Sequence, residues 1–574
     1  MSGIDSAADR REATWYETTQ VAAPDRATLT YDLDVDVCVI GGGLAGLTVA
    51  REMARRGWSV AVLEAQRIGS GASGRNAGFV SPGFAERPER IVERIGLAQA
   101  RRLWALSQQG VDYVRETIRE TGMRGVIPIS GRLSVRRMDD APGTAMAANL
   151  LRELGADVAV WPTAQVREVL HSERYFQALH LRSAFHIHPL NYLLGLAAAA
   201  EASGVRIFER TPVIGIDPDG VRKRITTPRA RVRAGHIVLA ASWGLAPLLP
   251  DISSTVLPVA SYVAVTAPLG ERLTGAITYR GAVADTRRGG DYYRIVAGDR
   301  LLWGGRITTT LTPPRRLTNL IRRDIAAVYP QLASVEITHA WTGVMGYALH
   351  RMPQIGEFAP GLWVASAFGG HGLNTTAMAG LLVARAIAEG DDSWREFAPY
   401  ELVWAGGRLG RAVVQASYWS MQARDAIGER LARWRADRRS RRAAGEAQRP
   451  SQPQPPAPNA AQAETAREPL AAAAAAGAVA VQAEAATVAS DPMPALPSEP
   501  AAPAEMPVTD RPEAVAETEP VPEPAAEPAA EADLPPETQA AEPAPDTAVT
   551  PAGEGSPKRR RGPGKPRGRR KGGS

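Results

Sequence analysis

The run Gly41-Gly42-Gly43-Leu44-Ala45-Gly46 constrains this chain more than any other feature. Residues 33–40 (LDVDVCVI) before it are apolar and β-branched enough to read as a buried parallel strand. Residues 44–56 after it read as a helix with Leu47, Ala50, Met53 and Ala54 on one face, stopped by Gly57. Residues 59–63 (SVAVL) form the next strand. Strand, glycine turn, helix and strand within about thirty residues is the βαβ unit of a dinucleotide fold. Gly41, Gly43 and Gly46 hold the GxGxxG positions, with Leu44 and Ala45 completing the loop. The first glycine permits the tight turn, the second admits a pyrophosphate, and the third lets helix and strand pack closely. The positive end of the helix then faces the phosphates. Glu64, followed by Ala65, ends the second strand, where a carboxylate accepts hydrogen bonds from a ribose diol and repels a 2′-phosphate. A bare glycine-rich turn beside a surface glutamate is the plain alternative, and the agreement of strand, helix and acid argues against it.

The 574 residues suffice for two compact domains and more. Helical patterns occur at about 86–121 and 189–203. Strand-like runs follow at 205–209, 211–216 and 232–240, and alternating runs between 257 and 307 suggest an antiparallel sheet. A buried strand (362–368), a glycine turn and a helix to about 389 come next, then an arginine-rich helical stretch at 401–440. Most of the excess among the 45 prolines lies after residue 450, where Ala, Pro and Glu dominate and aromatics vanish. Such a composition buries too little apolar surface to offset its ordering entropy, so residues 441–574 are expected to be disordered. The one cysteine, Cys38, leaves no intrachain disulfide and no Cys-based metal site to expect. With no signal-peptide pattern and no run of about 18 apolar residues, a cytoplasmic location without a membrane span is expected.

Residues 67–78 (RIGSGASGRNAG) form a long, small, glycine-rich loop instead of returning straight into a helix. Here the chain resembles the D-amino-acid-oxidase-like superfamily of flavoproteins, and GASGRNAG is similar to the branch containing gamma-glutamylputrescine oxidoreductase. The resemblance implies FAD, with Ser73, Gly74, Arg75 and Asn76 along the ribityl chain and flavin. It continues in order through His188-Pro189, Thr211-Pro212-Val213, Leu239-Ala240-Ala241-Ser242-Trp243, Asp291-Tyr292-Tyr293-Arg294, Leu302-Trp303-Gly304-Gly305, Trp341-Thr342-Gly343 and the run from His350 to Gly356. Val213 is implied to give the adenine a backbone contact. Phe368-Gly369-Gly370-His371-Gly372-Leu373-Asn374 is similar to the family's glycine–histidine–glycine turn, with Gly370, Gly372 and Leu373 at the flavin. The helix that follows can stabilise negative charge at the flavin N1/C2 carbonyl. The resemblance covers about residues 15–435.

The implied fold is α/β of the glutathione-reductase type: a Rossmann-like FAD-binding domain, an antiparallel-sheet substrate domain and a tail. FAD segments are expected at about 31–90, 155–250 and 345–400, and substrate-domain segments at about 91–154 and 251–344. An irregular arm (1–30) precedes them and helices (401–440) follow.

In the family, the flavin carries the chemistry. Hydride passes from the carbon beside nitrogen to N5, and the imine hydrolyses to an aldehyde or keto acid. The protein needs to exclude water, orient the amine and favour its neutral form in an apolar pocket, without a required side-chain acid or base. Some relatives attach FAD through Cys or His. Residues 66–79 contain neither, and Cys38 lies in the first strand, so noncovalent FAD is expected. Sarcosine-oxidising relatives carry a lysine after the turn that holds the substrate carboxylate. The uncharged Asn374 stands there, which favours an amine without a nearby carboxylate. Lys223, the only lysine before the tail, sits in a polar run, so no lysine is expected to activate oxygen, and the acceptor is oxygen or another electron acceptor.

Pocket candidates each have a plain alternative. His371 lies beside the flavin or packs its turn. Arg351 and His350 face the substrate or form a surface ion pair. Tyr293 and Trp341 wall the pocket or are ordinary core. Arg294 binds a distant carboxylate or is merely exposed. The rival activity is D-amino-acid or sarcosine/glycine-type oxidation. A rival of another class is a flavin-fold scaffold acting through its tail. From Lys558 onward there are nine basic residues and no acidic one, against a net charge of +6, so the rest is slightly acidic. Residues 558–571 could hold a nonspecific anionic partner by charge alone, or simply solvate the tail.

Overall fold

The computed structural model describes residues 12–447, apart from 246, 247 and 288. Contacts divide the chain into Met1–Gln452 and Pro453–Ser574. Of the disorder expected over 441–574, residues 441–447 instead continue the C-terminal helix, and the rest, with the basic run at 558–571, lies outside the described residues.

The opening strand forms at Leu33–Ile40. Its alternate residues point into two cores, Val37 and Val39 to one side, Cys38 and Ile40 to the other. It pairs in parallel with Val60–Leu63 and Arg231–Leu239. Arg206–Phe208 extends one edge, and Leu362–Ser366 the other, closed by antiparallel Gln354–Ala359. Helices Leu44–Ala54, Pro189–Ala202 and Gly372–Glu389 supply the apolar contacts of one face. The nucleotide sheet is thus gathered from distant stretches of chain.

The second sheet has nine strands. It is antiparallel, as expected, except that Ile129–Val135 and Ala282–Asp285 run parallel. These strands come from segments far apart in the chain, so no hairpin fixes their direction. One face carries Leu133, Tyr293, Ile295 and Trp303 into a separate core, covered by helix Leu317–Val328 through Ile321 and Ile325. The other face turns toward the nucleotide domain.

Several sequence expectations shift. The strand expected at 211–216 forms only at Gly215–Asp217. The helix expected over 401–440 starts at Gly407 and reaches Ala447. The helix Pro88–Thr121 is interrupted at Gly96, whose φ is 75°. The arm contains a helical turn, Trp15–Thr18, fixed by a capping box between Thr14 and Glu17. Lys223 is buried, not exposed, because it sits in strand Lys223–Thr226 and reaches the Gly220 carbonyl at 3.5 Å. Among the described residues, no helix is long and apolar enough to cross a membrane.

Candidate active site

The glycine turn is shaped by close backbone approach. Gly41 has φ +111°, and a Cβ there would lie 2.7 Å from the Ala240 carbonyl oxygen; at Gly46 a Cβ would overlap the Gly41 carbonyl. Gly43 caps helix Leu44–Ala54 with no side-chain bond, leaving the helix end open toward the cavity. Glu64 stands beside the turn, accepting from Gly42 N at 2.8 Å and Gln66 N at 2.9 Å. Thr211 N donates to the Glu64 carbonyl at 2.9 Å, which brings the segment carrying Val213 alongside. Val213 itself packs on the far core of this sheet and Ala65 is exposed; neither lines the cavity. The open helix end, the cradle a Cβ would fill and the carboxylate at the strand end fit the ADP half of FAD.

From this turn a cavity of about 430 Å³ runs between the two sheets, past residues 72–77 to the turn at 369–373. The loop is fastened from behind. Ser73 Oγ accepts from Leu44 N (3.1 Å), and Asn76 folds onto Ser73 O (2.8 Å) and Gly78 N (2.8 Å). A Cβ on Gly74 would overlap the Gly69 carbonyl. Buried Arg75 reaches the Thr342 and Glu12 carbonyls, both at 3.0 Å. Tyr16, fully buried, donates to Asn76 O (2.9 Å) and accepts from Arg294 Nη2 (3.2 Å). The N-terminal arm, expected to be irregular, therefore holds the cofactor loop; its Trp and Tyr were the available signal.

The structure sorts the pocket candidates by strand and helix geometry. Tyr293 is core: it stacks on Trp303 at 4.5 Å and bonds Tyr329 at 2.7 Å, on the face away from the cavity. Its neighbour Tyr292 takes the cavity face, with its hydroxyl 2.7 Å from Ser261 Oγ and its ring lying over Gly304, where a Cβ would overlap it. Trp341 is buried behind the loop, donating to Arg75 O at 2.9 Å. Arg294 is not exposed; its guanidinium is spent on Ala77 O (2.7 Å), His186 (3.1 Å) and Tyr16. His350 turns away to bond Glu401 O (3.2 Å) and Met352 N (3.1 Å), whereas Arg351 lines the cavity at φ +60°, 3.8 Å from Glu86. Asn374 is buried with its amide on Gly83 O (3.1 Å), because it falls on the helix face opposite Leu373 and Thr376, which do line the cavity. Its lack of charge therefore carries no information about a substrate carboxylate.

His371 caps helix Gly372–Glu389 at the cavity, with Gly370 and Gly372 beside it. Burial, aided by the charge of Arg132, pushes its imidazole down to about 3, so the ring is neutral. Burial pushes the Tyr292 phenol up to about 12 and raises Tyr347 further, leaving both as protonated donors. At another side, Arg287 bonds Asp285 and Asp291, both at 2.6 Å. Burial and the neighbouring Asp285 push the Asp291 carboxyl upward. Glu429 on the C-terminal helix pairs with Arg137 at 3.2 Å, and Tyr418 of that helix reaches the cavity. Arg132, Ser261, Asp285, Arg287, Tyr347 and Tyr418 were missed by the sequence reading. Tyr292 was legible as the partner of Tyr293 in alternation. Cys38 lies in the far core with its thiol pushed up to about 12 by burial.

Comparison with known proteins agrees with this geometry. Residues 36–386 match the model of the DAO family, FAD dependent oxidoreductase. Gamma-glutamylputrescine oxidoreductase of Escherichia coli (strain K12) is 32% identical over 414 residues, covering 70% of this chain and 95% of that protein. A probable oxidoreductase, OrdL, of Haemophilus influenzae is 33% identical over 376 residues, covering 63% and 85%. Among solved structures, glycine oxidase from Geobacillus kaustophilus superposes with a TM-score of 0.55 at 23% identity, over 65% of this chain and 99% of that one. Glycine turn, cavity and family match lead to one conclusion: the chain belongs to the DAO family of FAD-dependent oxidoreductases.

Proposed function

We propose that the chain oxidises the carbon–nitrogen bond of a small amine, with gamma-glutamylputrescine-like molecules as first substrates. The observation carrying this reading is the single cavity that joins the open helix ends at Gly43 and His371 to the Tyr292 face of the second sheet. Bound FAD supplies the hydride acceptor. Gly41, Gly43, Leu44, Ala45, Gly46 and Glu64 hold its ADP half, with Val213 beside the adenine, and residues 73–76 hold the flavin side. The backbone N–H groups at Gly372 and Leu373 stabilise negative charge at the flavin pyrimidine edge. Val263, Ile307 and Met345 make part of the wall apolar, which favours the neutral amine. Tyr292 and Tyr347 orient it as donors. The absence of Cys and His in residues 66–79 and the remote burial of Cys38 support noncovalent attachment. The buried thiol suits a reducing cytoplasm.

Since Asn374 faces the core, glycine- or sarcosine-type oxidation stands as a second reading. Anaerobic titration of the FAD-loaded protein separates them by flavin absorbance. Bleaching by gamma-glutamylputrescine and simple amines supports the first reading, and bleaching by sarcosine or D-amino acids alone supports the second. Peroxide formation on re-aeration tells oxygen from another acceptor. No bleaching by either series would refute both readings.

A further inference from the structure

Helix Gly407–Ala447 follows the family-matched residues 36–386 and carries its polarity reversed. Its inner side meets the body largely through polar groups. Gln415 accepts from Thr309 N at 2.8 Å, Glu429 pairs with Arg137 at 3.2 Å, and Tyr418 reaches the cavity. Its outer side is apolar, with Leu409, Val413, Ile427 and Leu431 between 47% and 78% exposed. Leu409 and Ile427 stand 18 residues apart, as do Val413 and Leu431, which is five helical turns, so the four share one stripe about 33 Å long with small Ala416 and Ala423 between them. Trp419 flanks the stripe and Trp404 leads into the helix, both 64% exposed. Arg424 and Arg430 are exposed, one on either side of the stripe. The acids within residues 402–431 are Asp425 and Glu429, and both turn inward, Asp425 half-buried near Arg287 and Glu429 onto Arg137.

A long exposed apolar stripe marks a docking surface, and the charges around it choose the occupant. A second copy of the helix would set arginine against arginine in either direction, with no outward acid within residues 402–431 to answer them. An anionic lipid surface answers both features. Acyl chains take up the leucine and isoleucine side chains, headgroups neutralise the arginines, and tryptophan settles at the boundary. We propose that the outer side of this helix docks the protein onto a bilayer surface that carries anionic lipid. The helix lies along the surface and does not cross it. Because Tyr418 on the inner side reaches the cavity, the bilayer lies one helix away from the cavity wall. The inference does not depend on which amine is oxidised.

The test uses the full-length FAD-loaded protein, sedimented with vesicles of phosphatidylcholine alone or with about 30% phosphatidylserine. Binding to the anionic vesicles should be about tenfold stronger and should weaken as salt rises. On anionic vesicles with brominated acyl chains, tryptophan emission should be quenched, because Trp404 and Trp419 reach the chains. Residues 448–574 contain no tryptophan, so tethering by their basic end alone would leave the emission unchanged. Leu409→Gln, Val413→Gln, Ile427→Gln and Leu431→Gln, combined, keep helix propensity and should lower anionic-vesicle binding about tenfold at unchanged flavin content and unfolding temperature. The proposal is overturned if the wild type ignores anionic vesicles, binds neutral ones equally well, or binds without tryptophan quenching. It is also overturned if the folded combined variant binds within about twofold of wild type, because charge alone then accounts for the binding. A vesicle-free dimer that the same substitutions split would overturn it too, because a second copy then covers the stripe. Should the combined variant fail to fold, the quenching of the wild type decides alone.

Discussion

Tyr16→Phe tests whether the N-terminal arm governs cofactor retention. The substitution keeps the ring contacts to Trp341 (5.3 Å) and His188 (4.9 Å). It removes the hydroxyl that donates to Asn76 O and accepts from Arg294. A buried neutral hydrogen bond contributes about 1 kcal/mol and one to a charged group somewhat more, while Arg294 keeps Ala77 O and His186, so a net loss of about 2 kcal/mol is expected. Asn76, whose carbonyl is released, lines the cavity. If the loss falls on loop order, the FAD dissociation constant rises by up to about 30-fold, at roughly 1.4 kcal/mol per tenfold. Tyr16→Ala also deletes the ring, which adds about 3 kcal/mol and is expected to yield largely apo-protein. The assay is release of flavin fluorescence on dilution, paired with thermal unfolding of the apo-protein. Turnover at saturating FAD should be near wild type. Should Tyr16→Phe lose stability yet bind FAD with an unchanged constant, the arm is a structural strap only and the reasoning is refuted.

Gly46→Ala places a methyl on the Gly41 carbonyl, so the purified variant should lack the flavin absorbance band; normal flavin content would contradict the assigned turn. Tyr293→Ala should cost about 3–5 kcal/mol in denaturant unfolding with unchanged substrate preference, whereas Tyr292→Phe should cost about 1 kcal/mol and alter the half-saturating amine concentration; the reverse pattern would mean the faces are misassigned. His371 and His186, at about 3, and His188, at about 4, are all lowered chiefly by burial, so these rings stay neutral in the fold while the unfolded chain protonates them near 6.5. Unfolding then takes up protons, and their stabilisation, fully present above about pH 6.5, is lost as pH falls toward 3–4, at up to about 1.4 kcal/mol per pH unit for each ring. Denaturant midpoints at pH 7 and pH 5 check this, and equal midpoints would sink it.

The nucleotide unit was legible because strand, turn and helix each carry a local signature within about thirty residues. The second sheet was legible as alternation but not as faces. Alternation separates Tyr292 and Arg294 from Tyr293 and Ile295, yet says nothing about which set meets the cavity. Both sets are largely apolar or aromatic, and the choice of Tyr293 over Tyr292 was undetermined until Trp303 and helix Leu317–Val328 were seen to cover one face. Arg132 failed for a related reason. Beside Leu133 and Val135 a polar residue reads as solvent-facing, and only the distant nucleotide domain closes over it. Asn374 misled because one position along a helix turns a side chain by about 100°, enough to move it from cavity to core.

The bond from Thr342 N to Glu12 joins residues 330 positions apart. At about 5–20 residues per second, the ribosome needs roughly 15–65 s between making the first and the second. The arm's bonds to the flavin loop, from Tyr16 to Asn76 and from Arg75 to Glu12, span only 60 and 63 positions, whereas its link to the second sheet waits for residue 342. The arm is therefore locked between loop and second sheet only once about three-fifths of the 574 residues are made, and a tag fused close ahead of residue 12 would act on that locking step before it acted on either core.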